Sequence, residues 1–116
     1  MNRIETTFTA LKVNKKTALI PFITAGDPAL DATLPAMHAL AKAGADVIEL
    51  GVPFSDPLAD GPTIQHSTQI ALEKGANVKR SLQAVRDLRA RGVVIPFMLM
   101  GYVNPILAYG PKQFAK

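Results

Sequence analysis

Glu49 is the first residue in the chain that ordinary packing does not explain. It lies in Asp46-Val47-Ile48-Glu49-Leu50, a short run whose apolar residues predict a strand buried on both faces. A bare carboxylate in such a strand costs on the order of several kcal/mol. No Lys or Arg lies on a neighbouring predicted strand to offset that cost. The residue also falls at the C-terminal end of its strand, where parallel α/β folds place their active sites. Burial raises a carboxyl's pKa toward the range useful for general acid–base work, so proton transfer is the chemistry expected of Glu49. The competing reading is a structural ion pair.

The loop Gly51-Val-Pro-Phe-Ser-Asp-Pro-Leu-Ala-Asp-Gly-Pro62 brings two more acids, Asp56 and Asp60, above the same strand end. Each has a structural alternative. Asp60 precedes a proline-led helix start and suits an N-cap, and Asp56-Pro57 suits turn initiation. Asp56, Asp60 and His66 together match no metal-loop spacing. His38 and His66 fall on predicted helices and are expected to face solvent. Ser55 lacks a partner His/Asp arrangement or a nucleophile elbow, and the glycines form neither a dinucleotide fingerprint nor a P-loop. Phe22, Met100 and Tyr102 lie toward or just past the ends of the first and third predicted strands. They are either core or the wall of an apolar, aromatic-accepting pocket beside Glu49.

The elements that must position these groups alternate in type. Asn2 and Glu5 have capping-box spacing, and Ile4, Phe8 and Leu11 follow on one helical face, giving a helix that ends near Asn14. Residues 18–24 read as a buried strand containing Pro21, which weakens a central position. A helix from about Leu30 to Ala43 holds Pro35 and stops at Gly44. Two further helices, one led by Pro62 and running to Gly75 and one spanning about Val78–Arg91, precede a third buried strand over Val93–Met100. Asn104-Pro105 opens a short helix that Gly110 ends, and Pro111 starts another. Strands near 18–24, 46–50 and 94–100 separated by helices are the signature of βαβ units and a parallel sheet. No internal boundary, linker or repeat divides residues 1–116.

Composition bounds the function classes. The chain has 116 residues, is 48% apolar and 19% charged, and contains no cysteine. A disulfide framework, thiolate metal sites and a cysteine nucleophile are excluded, and a reducing cytoplasmic setting is expected. No apolar run approaches the ~20 residues of a membrane span. The net charge of +4 is uneven: residues 1–60 hold 5 basic and 7 acidic side chains, net −2, and residues 61–116 hold 8 and 2, net +6. Lys79, Arg80, Arg86, Arg89 and Arg91 share one predicted helix without interleaved aromatics. They read as a solvated face rather than a nucleic-acid surface.

Four segments together resemble the tryptophan synthase α chain family. They are Pro21-Phe-Ile-Thr-Ala-Gly-Asp-Pro28, Gly44-Ala-Asp46, the long stretch from Glu49 to Gln65, and Met98-Leu-Met-Gly-Tyr-Val-Asn-Pro105. The resemblance implies an α/β fold, the N-terminal portion of a TIM (β/α)8 barrel with about three parallel strands and flanking helices. It implies a lyase that cleaves indole-3-glycerol phosphate into indole and glyceraldehyde 3-phosphate by a retro-aldol reaction in tryptophan biosynthesis. The family's catalytic carboxylates fall on Glu49, as acid–base, and Asp60, as the group that holds the indole N–H. Phe22, Ile64, Met100 and Tyr102 match positions lining the indole pocket. Pro53, Asp56 and Pro57 match the surface that meets the β chain in an α2β2 assembly. The resemblance implies no cofactor in this chain and pyridoxal phosphate in the β partner, with no nucleic-acid or membrane partner.

The length is less than half of the ~250 residues of a complete barrel, whose substrate phosphate is usually held by loops after strands seven and eight. These 116 residues alone are therefore expected to be inactive and to expose an apolar sheet edge that favours self-association. Two other readings stay open. One is another phosphate-binding TIM-barrel lyase. The other is a non-catalytic module that binds the β chain or itself.

Overall fold

The capping box forms as its spacing predicts. In the computed structural model, which describes residues 1–116, the Glu5 N–H donates to Asn2 Oδ1 at 2.9 Å and the Asn2 N–H donates to Glu5 Oε2 at 3.0 Å. These bonds satisfy donors that the first turn leaves without partners and start helix α1, Arg3–Val13. The helix expected from Leu30 begins instead with a 3-10 turn at Leu30–Ala32, and α2 runs over Thr33–Lys42. Pro35 thus lies in the first turn of α2, where its missing N–H has no intrahelical partner to lose.

Helix α3, Pro62–Glu73, carries Pro62 at its first turn and has Gly61 as N-cap with no side-chain bond. The N-cap alternative for Asp60 is thereby corrected: the cap position is one residue later. Helix α4, Val78–Ala90, starts on the Asn77 side chain, which accepts the Arg80 N–H at 2.9 Å. Two short helices end the chain, α5 over Val103–Tyr109 and α6 over Pro111–Phe114. No helix is long and apolar enough to cross a membrane.

Three strands, β1 (Phe22–Thr24), β2 (Ile48–Gly51) and β3 (Phe97–Met100), form a parallel sheet in the order β1-β2-β3. Strands β1 and β3 are shorter than their apolar runs suggest, and proline is the reason. The Pro21 carbonyl accepts from the Glu49 N–H at 2.9 Å, and the Pro96 carbonyl accepts from the Ile48 N–H at 3.1 Å. Neither proline has an N–H to return, so regular pairing begins one residue later. The register aligns Phe22 with Glu49 and Glu49 with Met98; two residues on, Thr24 aligns with Gly51 and Gly51 with Met100.

The two faces of this sheet differ. Ile48 and Leu50 are fully buried with Met37 of α2 and Leu88 of α4, and Ile23, Phe97 and Leu99 pack on the same cluster. The opposite face is open: Met98 is 43% and Met100 55% exposed, and Ile20 ahead of β1 is exposed too. Helices cover one side of the sheet; the other side, the interior of the barrel that the resemblance implies, is left uncovered in these 116 residues. Glu49 projects toward the uncovered side and is half-buried rather than enclosed.

The basic helix departs from its expected role at one position. Lys79, Arg80, Arg86 and Arg91 are exposed, as a solvated face requires. Arg89 instead folds inward. Its Nη1 donates to the carbonyls of Val93 at 2.9 Å and Ile95 at 2.6 Å, and its guanidinium lies 4.5 Å over the Phe97 ring. Burial, and then the nearby Arg3, lower its pKa from the ordinary value. Arg89 ties the segment entering β3 to the helix before it.

Candidate active site

The C-terminal ends of the three strands gather the chemistry-bearing residues. Strand pairing sets Phe22, Glu49 and Met98 side by side in one row, with Thr24, Gly51 and Met100 in the next row toward the strand ends. Gly51 is required here by close approach: a Cβ at that position would lie 2.6 Å from Cζ of Phe22. The Phe22 ring therefore leans over the glycine instead of lying flat beside Glu49. Directly above, a cleft of about 200 Å³ is lined by Phe22, Asp60, Ile64, Met100 and Tyr102, with Thr24 and Thr68 beside them.

This one cleft thus collects Asp60 and all four residues assigned from sequence to an indole pocket. Glu49 stands one row below it, as the strand neighbour of Phe22. Phe54 packs on Tyr102 with ring centroids 5.4 Å apart, tilted by 40°, which steadies one wall. A cleft of this size is smaller than the roughly 300–1,000 Å³ typical of drug-sized ligands and suits a compact ring.

The chain's acids divide by what they already hold. Asp27 accepts from the Ser67 hydroxyl at 2.6 Å, Asp46 from the Leu19 N–H at 2.8 Å, Asp56 from Ser55 at 2.7 Å and Asp87 from Gln83 at 2.8 Å. Glu5 is part of the capping box and Glu73 accepts from Gln69 at 3.1 Å. The carboxylates of Glu49 and Asp60 take part in none of these bonds. Asp31, the ninth acid, is exposed beside the groove between α2 and α4 and lines no part of the cleft. Local structure therefore consumes six acids and leaves free the two that face the cleft end of the sheet. Within these 116 residues neither has a Lys or Arg bonded to it; the hydrogen bonds of Arg89 go to carbonyls.

The remaining sequence candidates sort themselves by exposure. Asp56 is exposed, Pro57 half-buried and Pro53 buried, so Pro53 shapes the loop from beneath while Asp56 faces outward. The Leu58 N–H donates to the Asp56 carbonyl at 2.8 Å, the turn that Asp56-Pro57 suggested. Leu58 itself is 92% exposed. A large apolar residue at the tip of a polar, proline-rich loop is a surface signal legible in the sequence. His38 and His66 are exposed on α2 and α3. No group of three His, Asp or Glu side chains converges in a way that could hold a metal ion. Gln65 and Gly51 also bear on the site, through contacts with backbone and ring atoms that sequence spacing does not reveal.

Comparison with known proteins gives a consistent picture. The sequence model of the tryptophan synthase alpha chain matches residues 8–116. The tryptophan synthase alpha chain of Xanthomonas axonopodis pv. citri (strain 306) is 58% identical over 116 residues, covering 100% of this chain and 43% of that protein. That of Xylella fastidiosa (strain M12) is 56% identical over the same 116 residues, again 43% of its length. Among solved structures, tryptophan synthase subunit alpha from Legionella pneumophila str. Paris superposes with a TM-score of 0.96 at 50% identity, over 99% of this chain and 44% of that one. Tryptophan synthase from Mycobacterium tuberculosis in its aminoacrylate-bound form gives 0.91 at 40% identity, over 99% of this chain and 46% of that one. The three strands and their helices match the N-terminal part of these TIM barrels. The chain spans less than half the length of the relatives it matches.

Proposed function

The chain belongs to the tryptophan synthase alpha chain family, and we propose that in a complete barrel these residues supply the acid–base and indole-binding half of a lyase active site. The substrate in this reading is indole-3-glycerol phosphate and the products are indole and glyceraldehyde 3-phosphate. The observation that carries it is the pairing of two unengaged carboxylates, Glu49 and Asp60, with one compact cleft walled by Phe22, Ile64, Met100 and Tyr102.

The chemistry follows from what each group can do. The indole ring enters between the aromatic and aliphatic walls, where its flat faces replace water. Asp60 accepts the ring N–H. As ring carbon 3 is protonated the nitrogen becomes an iminium, and a fixed carboxylate stabilises the positive charge where it develops. Glu49 in its acid form delivers the proton to carbon 3. As carboxylate it then takes the proton of the glycerol hydroxyl next to the ring. The bond between ring carbon 3 and that carbinol carbon breaks, its electron pair restores the aromatic ring, and the carbinol becomes the aldehyde. Protons and electrons balance without a cofactor in this chain.

The cleft of about 200 Å³ is of a size to take the ring, and no Lys or Arg lines it to hold a phosphate. In such barrels the phosphate is usually held by loops after strands seven and eight, so the 116 residues by themselves are expected to release no indole. The exposed Asp56 and Leu58 of the 53–58 loop support this loop as the contact to the pyridoxal-phosphate-dependent β chain that receives the indole. The whole reading is that of a cytoplasmic biosynthetic enzyme.

The test is indole release from indole-3-glycerol phosphate by the full-length protein carrying these residues. Glu49→Gln and Asp60→Asn each are expected to lower kcat by about a hundredfold or more. A Glu49→Gln enzyme that keeps kcat within a factor of about three would overturn the assignment.

A further inference from the structure

The turn that delivers Asp60 to the cleft has almost no apolar anchorage of its own. Leu58 is 92% exposed and Ala59 is exposed. Within the turn, only the Asp60 N–H bond to the Pro57 carbonyl, 3.1 Å, and the Leu58 N–H bond to the Asp56 carbonyl close the backbone on itself. Two side chains from elsewhere grip it. From one side, Gln65 Nε2 donates to the carbonyls of Asp60 at 2.8 Å and Pro57 at 3.3 Å. Gln65 is itself fixed in the first turn of α3, where its N–H bonds the Gly61 carbonyl at 3.0 Å. From the other side, the Tyr102 hydroxyl oxygen accepts the Ala59 N–H at 2.9 Å, a contact between residues 43 apart in the chain. Phe54 packs on the Tyr102 ring and holds it in place.

We propose that Gln65 and Tyr102 are positioning residues that clamp the Pro57–Asp60 turn from two sides and so set the Asp60 carboxylate in the cleft. The inference rests on the proposed role of Asp60 and deepens it. Gln65 lies outside the cleft wall, and its amide reaches only backbone oxygens. Tyr102 is at once a wall of the cleft and, through its oxygen, a strut of the turn. All three gripped backbone groups, the Pro57 and Asp60 carbonyls and the Ala59 N–H, are at the surface, so water can replace a lost side-chain partner and the fold keeps its stability. What is lost is the fixed placement of one carboxylate, to which charge stabilisation is sensitive: a misplacement of about 1 Å can cost a hundredfold in rate.

The test uses the full-length protein. Gln65→Leu removes both donors at similar size, and Tyr102→Phe removes the oxygen while keeping the ring. Each is expected to lower kcat for indole release about tenfold, and the pair together about a hundredfold, with KM changed less than about threefold. Melting temperatures stay within a few degrees of the parent. Gln65→Lys, which restores a donor to the two carbonyls, recovers most of the lost kcat. The proposal is overturned if both single variants keep kcat within about twofold, if the losses appear in KM alone, or if Gln65→Lys is no better than Gln65→Leu. Asp60→Asn separates the two ideas: full activity in that variant defeats the role of Asp60 itself, whatever the clamp variants do.

Discussion

Replacing Gly51 by alanine tests the cleft floor, and the structure gives both the size and the direction of the effect. The added methyl would sit 2.6 Å from Cζ and 3.1 Å from Cε2 of Phe22, and 3.5 Å from the Ile23 carbonyl oxygen. Ordinary carbon–carbon contact is about 3.5–4.0 Å, so the ring must move by roughly 1 Å. Leu50 and Ile48 pack the opposite face of β2 and block retreat of the strand. The ring faces the side of the sheet that a complete barrel closes, so the stability loss in the full-length protein should fall within the roughly 1–3 kcal/mol typical of overpacking. The displaced ring moves into the space above β2, and kcat/KM for indole release by the full-length enzyme should fall by about tenfold or more. Urea unfolding and steady-state kinetics measure the two effects. The double variant Gly51→Ala/Phe22→Leu removes the ring that clashes and should recover the stability without recovering the activity, since the aromatic wall is gone. If Gly51→Ala matches the parent in both assays, or if Phe22→Leu fails to relieve the destabilisation, the packing argument is wrong.

Three further outcomes follow from other contacts. Gly26→Ala should be more damaging than Gly51→Ala, because Gly26 has φ +97° and its Cβ would lie 2.7 Å from the buried Ala76 Cβ; a loss of about 2–4 kcal/mol in urea unfolding is expected, and a loss below 1 refutes it. Asn77→Ala should cost about 1 kcal/mol by removing the α4 cap, with Asn77→Asp close to neutral; equal losses in both would deny the capping role. Arg89→Met should cost about 1–2 kcal/mol, because the carbonyls of Val93 and Ile95 lose a charged donor, whereas Arg86→Met on the exposed face should be silent; amide exchange of residues 93–97 faster in the first variant only is the confirming pattern.

Much of this was readable before any coordinates, for identifiable reasons. Local signals were reliable where the physics is local: the Asn2–Glu5 box, the proline-led start of α3 and the glycine stops all depend on neighbours within a turn. Glu49 stood out because charge and position conflict within five residues. It is half-buried because it faces the side of the sheet that a complete barrel closes, and Met98 and Met100 lie open for the same reason. Residue chemistry alone leaves Asp60 divided between cap and site, because a shift of one residue in the helix start separates the two; only the family resemblance points to the site. The bonds from Tyr102 to Ala59 and from Arg89 to Ile95 were invisible for a different reason. They join a side chain to a backbone atom, and any residue type can supply the backbone half.

Strand β2 divides its duties by the parity of its residue numbers. Ile48 and Leu50 look to the helices, Glu49 and Gly51 to the open side, and the same split runs through Ile23 against Phe22 and Leu99 against Met98. Four residues therefore hold two nearly independent inheritances, one that evolution can retune for chemistry and one it must leave alone for folding. The separation is also a vulnerability. Deleting a single residue before Ile48 would exchange the two sets at a stroke, turning Glu49 into the core and the core toward the substrate.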